Sequence, residues 1–163
     1  MTCDDETLGW FTSFKRLKHL KLQGTKITNK IETLLKSGDE LESIDLSSTS
    51  VDDGIAPALL THKKLSVVVL SGTAITDKGV GILADLPELN SLALNECKIT
   101  DRAMSGLANC RKLQFLFINK TGITNDGLSQ LALLPELDYV EAKNTGIMSG
   151  NGIAGMRAEV KTE

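Results

Sequence analysis

The sequence predicts an α/β fold, a right-handed solenoid with a curved parallel sheet on its concave face and short helices on its convex face. Three observations predict it. The stretch GTAITDKGVGILADLPEL (72–89) returns 48 residues later as KTGITNDGLSQLALLPEL (120–137). Leucines that open a pattern L-x-x-L-x-L fall at Leu17, Leu41, Leu65, Leu89, Leu113 and Leu137, always 24 residues apart. Position 13 of each unit, counted from that leucine, holds a residue of the type that begins helices.

The strand comes first in each unit. Position 4 is Leu20, Ile44, Val68, Leu92, Leu116 and Val140, and position 6 is Leu22, Leu46, Leu70, Leu94, Ile118 and Ala142. Side chains alternate along a strand, so these two rows point inward while positions 3 and 5 face solvent. Position 9 turns inward again; it is Thr25, Thr49, Thr73, Thr121 and Thr145, with Cys97 in the fourth unit. A hydroxyl or thiol there can bond backbone groups left unpaired at the corner. Asp5, Asn29, Asp53, Asp77, Asp101, Asn125 and Ser149 then occupy position 13 and are expected to cap the helices. The helical stripe follows as Val80, Leu83, Leu86, then Met104, Leu107, Cys110, then Leu128, Leu131, Leu134. Pro87 and Pro135 end the helix and hand the chain to the next strand. Pro57 sits early in its helix, where it is tolerated, and Glu32 stands where a leucine belongs.

Fixed self-similarity with this leucine spacing resembles the leucine-rich repeats over residues 3–149. The matching subtype carries T-x-I-T-D-x-G-L, as in Thr73–Val80 and Thr121–Leu128. It is similar to short bacterial repeats related to the cysteine-containing repeats of eukaryotic ubiquitin-ligase adaptors. Threonine replaces that family's usual Asn or Cys at position 9, and Cys97 alone keeps it.

The whole chain, 1–163, reads as one domain. It comprises a partial unit (1–16), six units starting at 17, 41, 65, 89, 113 and 137, and an irregular tail from about 148 to 163. Each unit buries its apolar face only against neighbours, so the ends need covering. At the front, Trp10, Phe11 and Phe14 are candidates for that role. At the back, a glycine-rich tail with no further strand pattern leaves the last strand edge open unless the tail folds over it.

The period also assigns the open face. Position 3 reads His19, Ser43, Val67, Ser91, Phe115, Tyr139, and position 5 reads Lys21, Asp45, Val69, Ala93, Phe117, Glu141. The chain has one Trp, one Tyr and four Phe, yet three of these aromatics fall on neighbouring strands of this face. Exposed apolar area with a polar rim marks an interaction site. The candidate protein-binding surface is therefore Val67, Val69, Phe115, Phe117 and Tyr139, with Asn119 and Glu141 at its edge. The competing reading is that the tail, or a second copy, covers these aromatics.

His19, Ser43 and Asp45 share one end of the face and must be weighed as a hydrolase triad. A triad needs a buried, oriented acid and an oxyanion hole, and a flat exposed sheet supplies neither. They are read as a solvated polar patch. His62 lacks a nearby His or Cys and is read as a helix-end residue; Cys97 and Cys110 are read as core thiols. Asn119-Lys-Thr121 matches a glycosylation sequon, but the repeat already accounts for Thr121.

Composition adds limits. Net charge is −3, with 41% apolar and 24% charged residues, and no basic stripe suited to nucleic acid. Three widely spaced cysteines, Cys3, Cys97 and Cys110, point to a reducing compartment, or one indifferent to disulfides, and to no zinc site. The acidic N-terminus lacks the apolar run of a signal peptide or membrane span, so a cytoplasmic location is expected. The sequence thus predicts a non-enzymatic module for a protein or peptide ligand, without metal or cofactor, as a monomer or weak homo-oligomer. A recognition segment of a larger signalling or ubiquitin-ligase-type protein is the alternative.

Overall fold

The computed structural model describes residues 3–8, 16–36, 38–148 and 156–162. The inward and outward rows resolve into strands β1 (His19–Lys21), β2 (Ser43–Asp45), β3 (Val67–Val69), β4 (Ser91–Ala93), β5 (Phe115–Phe117), β6 (Tyr139–Glu141) and β7 (Glu159–Lys161). They form one sheet in chain order, β1 to β7. Every pairing is parallel, and through β6 each residue faces the one 24 positions on, so Val68, Leu92, Leu116 and Val140 lie in one row. That row and the row of Leu46, Leu70, Leu94 and Ile118 are fully buried. Each strand ends because position 8 is a left-handed turn, held by Gly24, Ser48, Gly72, Glu96, Lys120 and Asn144, all with φ between 54° and 69°.

The position-9 threonines close the corner as their placement predicts. The hydroxyls of Thr49, Thr73 and Thr121 donate to the carbonyls of Leu46, Leu70 and Ile118 at 2.6, 2.6 and 2.7 Å. The Cys97 thiol reaches the Leu70 carbonyl of the preceding coil at 3.2 Å instead. These groups are buried, and each bond removes the cost of an unpaired carbonyl.

On the other side of the core lie α1 (Asp5–Leu8), α2 (Glu32–Leu35), α3 (Ala56–Leu59), α4 (Asp77–Leu83), α5 (Asp101–Leu107) and α6 (Asn125–Ser129). Short 3-10 turns, Asn29–Ile31 and Asp53–Ile55, precede α2 and α3. Position 15 separates the two kinds of coil. It is Ile31 or Ile55 where a 3-10 turn begins, and Gly79, Ala103 or Gly127 where the α-helix starts at once.

Capping differs from the expectation. Position 13 does not cap its own helix; the cap lies one residue earlier. Thr28, Asp52, Thr76, Thr100 and Thr124 have extended backbones, and their side chains accept from the N–H two residues on. Position 13 serves the next coil instead. Asp53 accepts from the Thr76 N–H and hydroxyl, Asp77 from Thr100, and Asp101 from Thr124, with all six distances between 2.6 and 2.8 Å. Asp5 does the same for Thr28. A Cβ on Gly79 or Gly127 would run into the Asp53 or Asp101 carboxylate, which is why glycine stands there. Ser149, the last expected cap, lies outside the described residues.

The back end also departs from the reading of a tail without strand pattern. Strand β7 pairs with β6, setting Val160 against Val140, and Met156, Ala158 and Val160 pack on the core. The step is shorter here, since Tyr139 faces Glu159 rather than a residue 24 further. The described tail therefore lies along the β6 edge rather than over Phe115 and Phe117. At the front, Leu17, Leu20 and Leu22 are only partly buried, unlike their counterparts in later coils. The expected cover by Trp10, Phe11 and Phe14 falls outside the described residues.

Candidate binding face

The parallel register sets the candidate residues side by side. Across positions 3, Val67 neighbours Ser91, Ser91 neighbours Phe115, and Phe115 neighbours Tyr139. Across positions 5, Val69, Ala93, Phe117 and Glu141 form a second row. With strands about 4.8 Å apart, the patch from β3 to β6 spans about 14 Å. None of Val67, Val69, Phe115, Phe117 or Tyr139 belongs to the core cluster. Phe115, at 37%, is the most exposed side chain of the five. Phe117 and Tyr139 are half-buried against each other, with ring centroids 5.9 Å apart and planes tilted by 52°. That tilted contact favours a fixed aromatic surface over two loose rings.

A polar row borders the patch where the strands exit. The Asn95 side-chain oxygen accepts from the Asn119 N–H at 2.8 Å, and that of Asn119 accepts from the Lys143 N–H at 2.7 Å. Asn119 therefore acts first as a brace between coils. Glu141 pairs with Lys143 at 3.5 Å, so these two present a neutralised rim. Thr121 is buried in its corner bond, as the repeat requires.

The charged end of the face is arranged differently from a triad. His19 and Ser43 are register neighbours. The Asp45 carboxylate, however, accepts from the Ser47 N–H and hydroxyl at 3.0 and 2.6 Å. Among the described residues no hydrogen bond links His19, Ser43 and Asp45. The Ser43 N–H is engaged by the Lys18 carbonyl at 2.9 Å. An acid that faces the strand exit cannot orient a histidine on β1.

Cys97, Cys110 and His62 lie in the core, and Cys3 is half-buried against it. Burial pushes the Cys97 thiol up and raises the Cys110 thiol to about 11, so neither forms a thiolate near neutrality. All three cysteines are free. His62 is buried, as its helix-end position predicts. Leu133, at 92% exposed, is an apolar side chain that periodicity does not single out, because it stands one residue off the helical stripe. No described helix is long and apolar enough to cross a membrane.

No protein-family model matches the chain, and no curated protein sequence matches it. Among solved structures it is similar to a crystal structure of an internalin C2 from Listeria monocytogenes, with a TM-score of 0.64 and 21% identity. The match covers 99% of this chain and 76% of that one. With the in-register coils described above, this likeness makes the fold a leucine-rich-repeat solenoid.

Proposed function

We propose that the protein is a non-enzymatic module that binds a protein or peptide on the open face of its sheet. One observation supports this most: Val67 and Val69 on β3, and Phe115, Phe117 and Tyr139 on β5 and β6, lie outside the core on one face, with Ser91 and Ala93 of β4 between them. Asn119 and Glu141 border it as a polar rim, the pattern of an interface with an aromatic centre. The reading extends to the short bacterial type of repeat, on the strength of T-x-I-T-D-x-G-L, and to a cytoplasmic setting that suits three unpaired cysteines. A place as the recognition segment of a larger signalling or ubiquitin-ligase-type chain is the second form of the same proposal.

The test compares capture of partners from the source organism by the wild type, Phe117→Asp, and Ser43→Ala as a control at the polar end. A partner retained by Ser43→Ala and lost with Phe117→Asp, with the fold intact by circular dichroism, supports the reading. Equal capture by all three places the interface elsewhere.

A further inference from the structure

Among the described residues, the His62 ring lies in the core without a hydrogen-bond partner. Position 22, the end of the helix-side stripe, is Leu86, Cys110 and Leu134 in the later coils, but Gly38 in the first and His62 in the second. Gly38 has no side chain to fill its corner, and a cavity of about 20 Å³ remains there, lined by leucines and His62. His62 is 2% exposed, and among the described residues neither Nδ1 nor Nε2 has a hydrogen-bond partner. Its backbone is fixed: the His62 N–H donates to the Leu59 carbonyl, and its own carbonyl accepts from Leu65, both at 3.0 Å.

A neutral imidazole in such a place leaves one donor and one acceptor unsatisfied. A protonated one puts two donors and a full charge among leucines, which is far more costly. Burial accordingly holds His62 below the usual histidine value, and Asp39, on the first-coil corner, opposes this. The other charges at the three surrounding corners include ion pairs: Lys64 with Glu40 at 2.6 Å, Lys112 with Glu88 at 2.6 Å, and Lys36 with Glu32 at 3.7 Å. Lys63 and Asp85 are exposed at their own corners.

We infer that His62 is a proton latch: protonating its ring releases the first coil from the second and leaves the later coils closed. The release is local because the strand of the first coil is the least buried, with Leu17, Leu20 and Leu22 only partly covered where their counterparts are buried. In a repeat array each unit is held by its neighbours alone, so an end unit opens first. The direction follows from linkage. Once the coil opens, the ring meets water and takes up a proton near its ordinary value of 6.5. Above that pH the closed state keeps its full stability; as pH falls below it, opening gains up to about tenfold per pH unit until the closed-state value is reached. The first coil carries His19 and Lys21, so acid would withdraw the charged end of the open face.

The experiment is hydrogen exchange on the full chain at about pH 7.5 and about pH 5, corrected for intrinsic exchange. In the wild type, opening of the first coil should rise on acidification while that of the fourth does not. His62→Leu, the residue of the later coils, should abolish that rise, and His19→Gln should keep it. A rise that persists in His62→Leu, or a wild type whose coils all respond alike, overturns the latch. If His62→Leu does not fold, the His62 ring is titrated by NMR in the His19→Gln background. A midpoint below 6.5 that tracks the exchange supports the latch; one at or above it overturns the latch.

Discussion

The Asp53 carboxylate accepts the Thr76 N–H at 2.8 Å and the Thr76 hydroxyl at 2.6 Å, joining two coils through one side chain. The same carboxylate also accepts the Gly79 N–H at 3.1 Å, so it satisfies donors at the start of α4 that Thr76 leaves unpaired. Negative charge at that end is also favoured by the partial positive charge of the first helical turn. Asp53→Ala should therefore cost about 1–3 kcal/mol in denaturant unfolding, because three donors lose an ionised partner. Asp53→Asn should cost less. Equal stability of Asp53→Ala and wild type would show that water replaces the carboxylate freely.

The strands and their inward rows were legible because every unit from Leu17 to Leu137 keeps one period, and a single slip would have turned Leu92 or Leu116 to solvent. The cap was not. Thr76 and Asp77 are both good cap formers, and only the coil stacked in front, with Asp53 facing Thr76, decides which residue takes the role. Strand β7 was hidden for another reason. Its step is shortened, and Arg157 stands where the earlier units open with leucine, so neither spacing nor residue type announces it. Of the candidate face, the pattern gave the outward direction of Phe115 and Phe117. It could not give the tilted contact of Phe117 with Tyr139, which depends on ring rotamers.

The inward and outward rows should differ sharply in energy. Leu94 and Leu116 are fully buried. Truncating either to Ala removes buried carbon and leaves a cavity, at a cost of about 2–5 kcal/mol. Ser91 lies on the open face between Val67 and Phe115, and Ser91→Ala should stay within about 0.5 kcal/mol of neutral. Chemical denaturation of the three variants measures this. Similar losses for Ser91 and Leu94 would contradict the assignment of the two faces.

Ser43 should show no nucleophilic reactivity. Among the described residues no carboxylate is hydrogen-bonded to its register neighbour His19, since Asp45 is held by Ser47 and Glu42 by Lys18. Treatment with a serine-directed phosphonate should leave Ser43 unlabelled by mass spectrometry. Labelling that disappears in His19→Ala would overturn the non-enzymatic reading.

The C-terminal strand should act as a cover for the sheet rather than as an ornament on its end. Its main-chain bonds, Glu159 N–H to the Asp138 carbonyl and Ala142 N–H to the Lys161 carbonyl, are both 2.8 Å long. Deleting residues 149–163 would strand those β6 groups and strip Met156, Ala158 and Val160 from the core. An uncovered edge is a template for pairing with another chain, although Asp138 and Glu141 beside it oppose promiscuous contact. The full chain should therefore sediment as a monomer at low concentration, with weak association only as concentration rises. The truncated chain should associate at lower concentration and unfold at lower temperature. If Phe117→Asp in the truncated background leaves that association unchanged, the β6 edge carries it; if it abolishes the association, the aromatic patch does. Identical sedimentation and melting of the full and truncated chains would show that β7 covers nothing the fold needs covered.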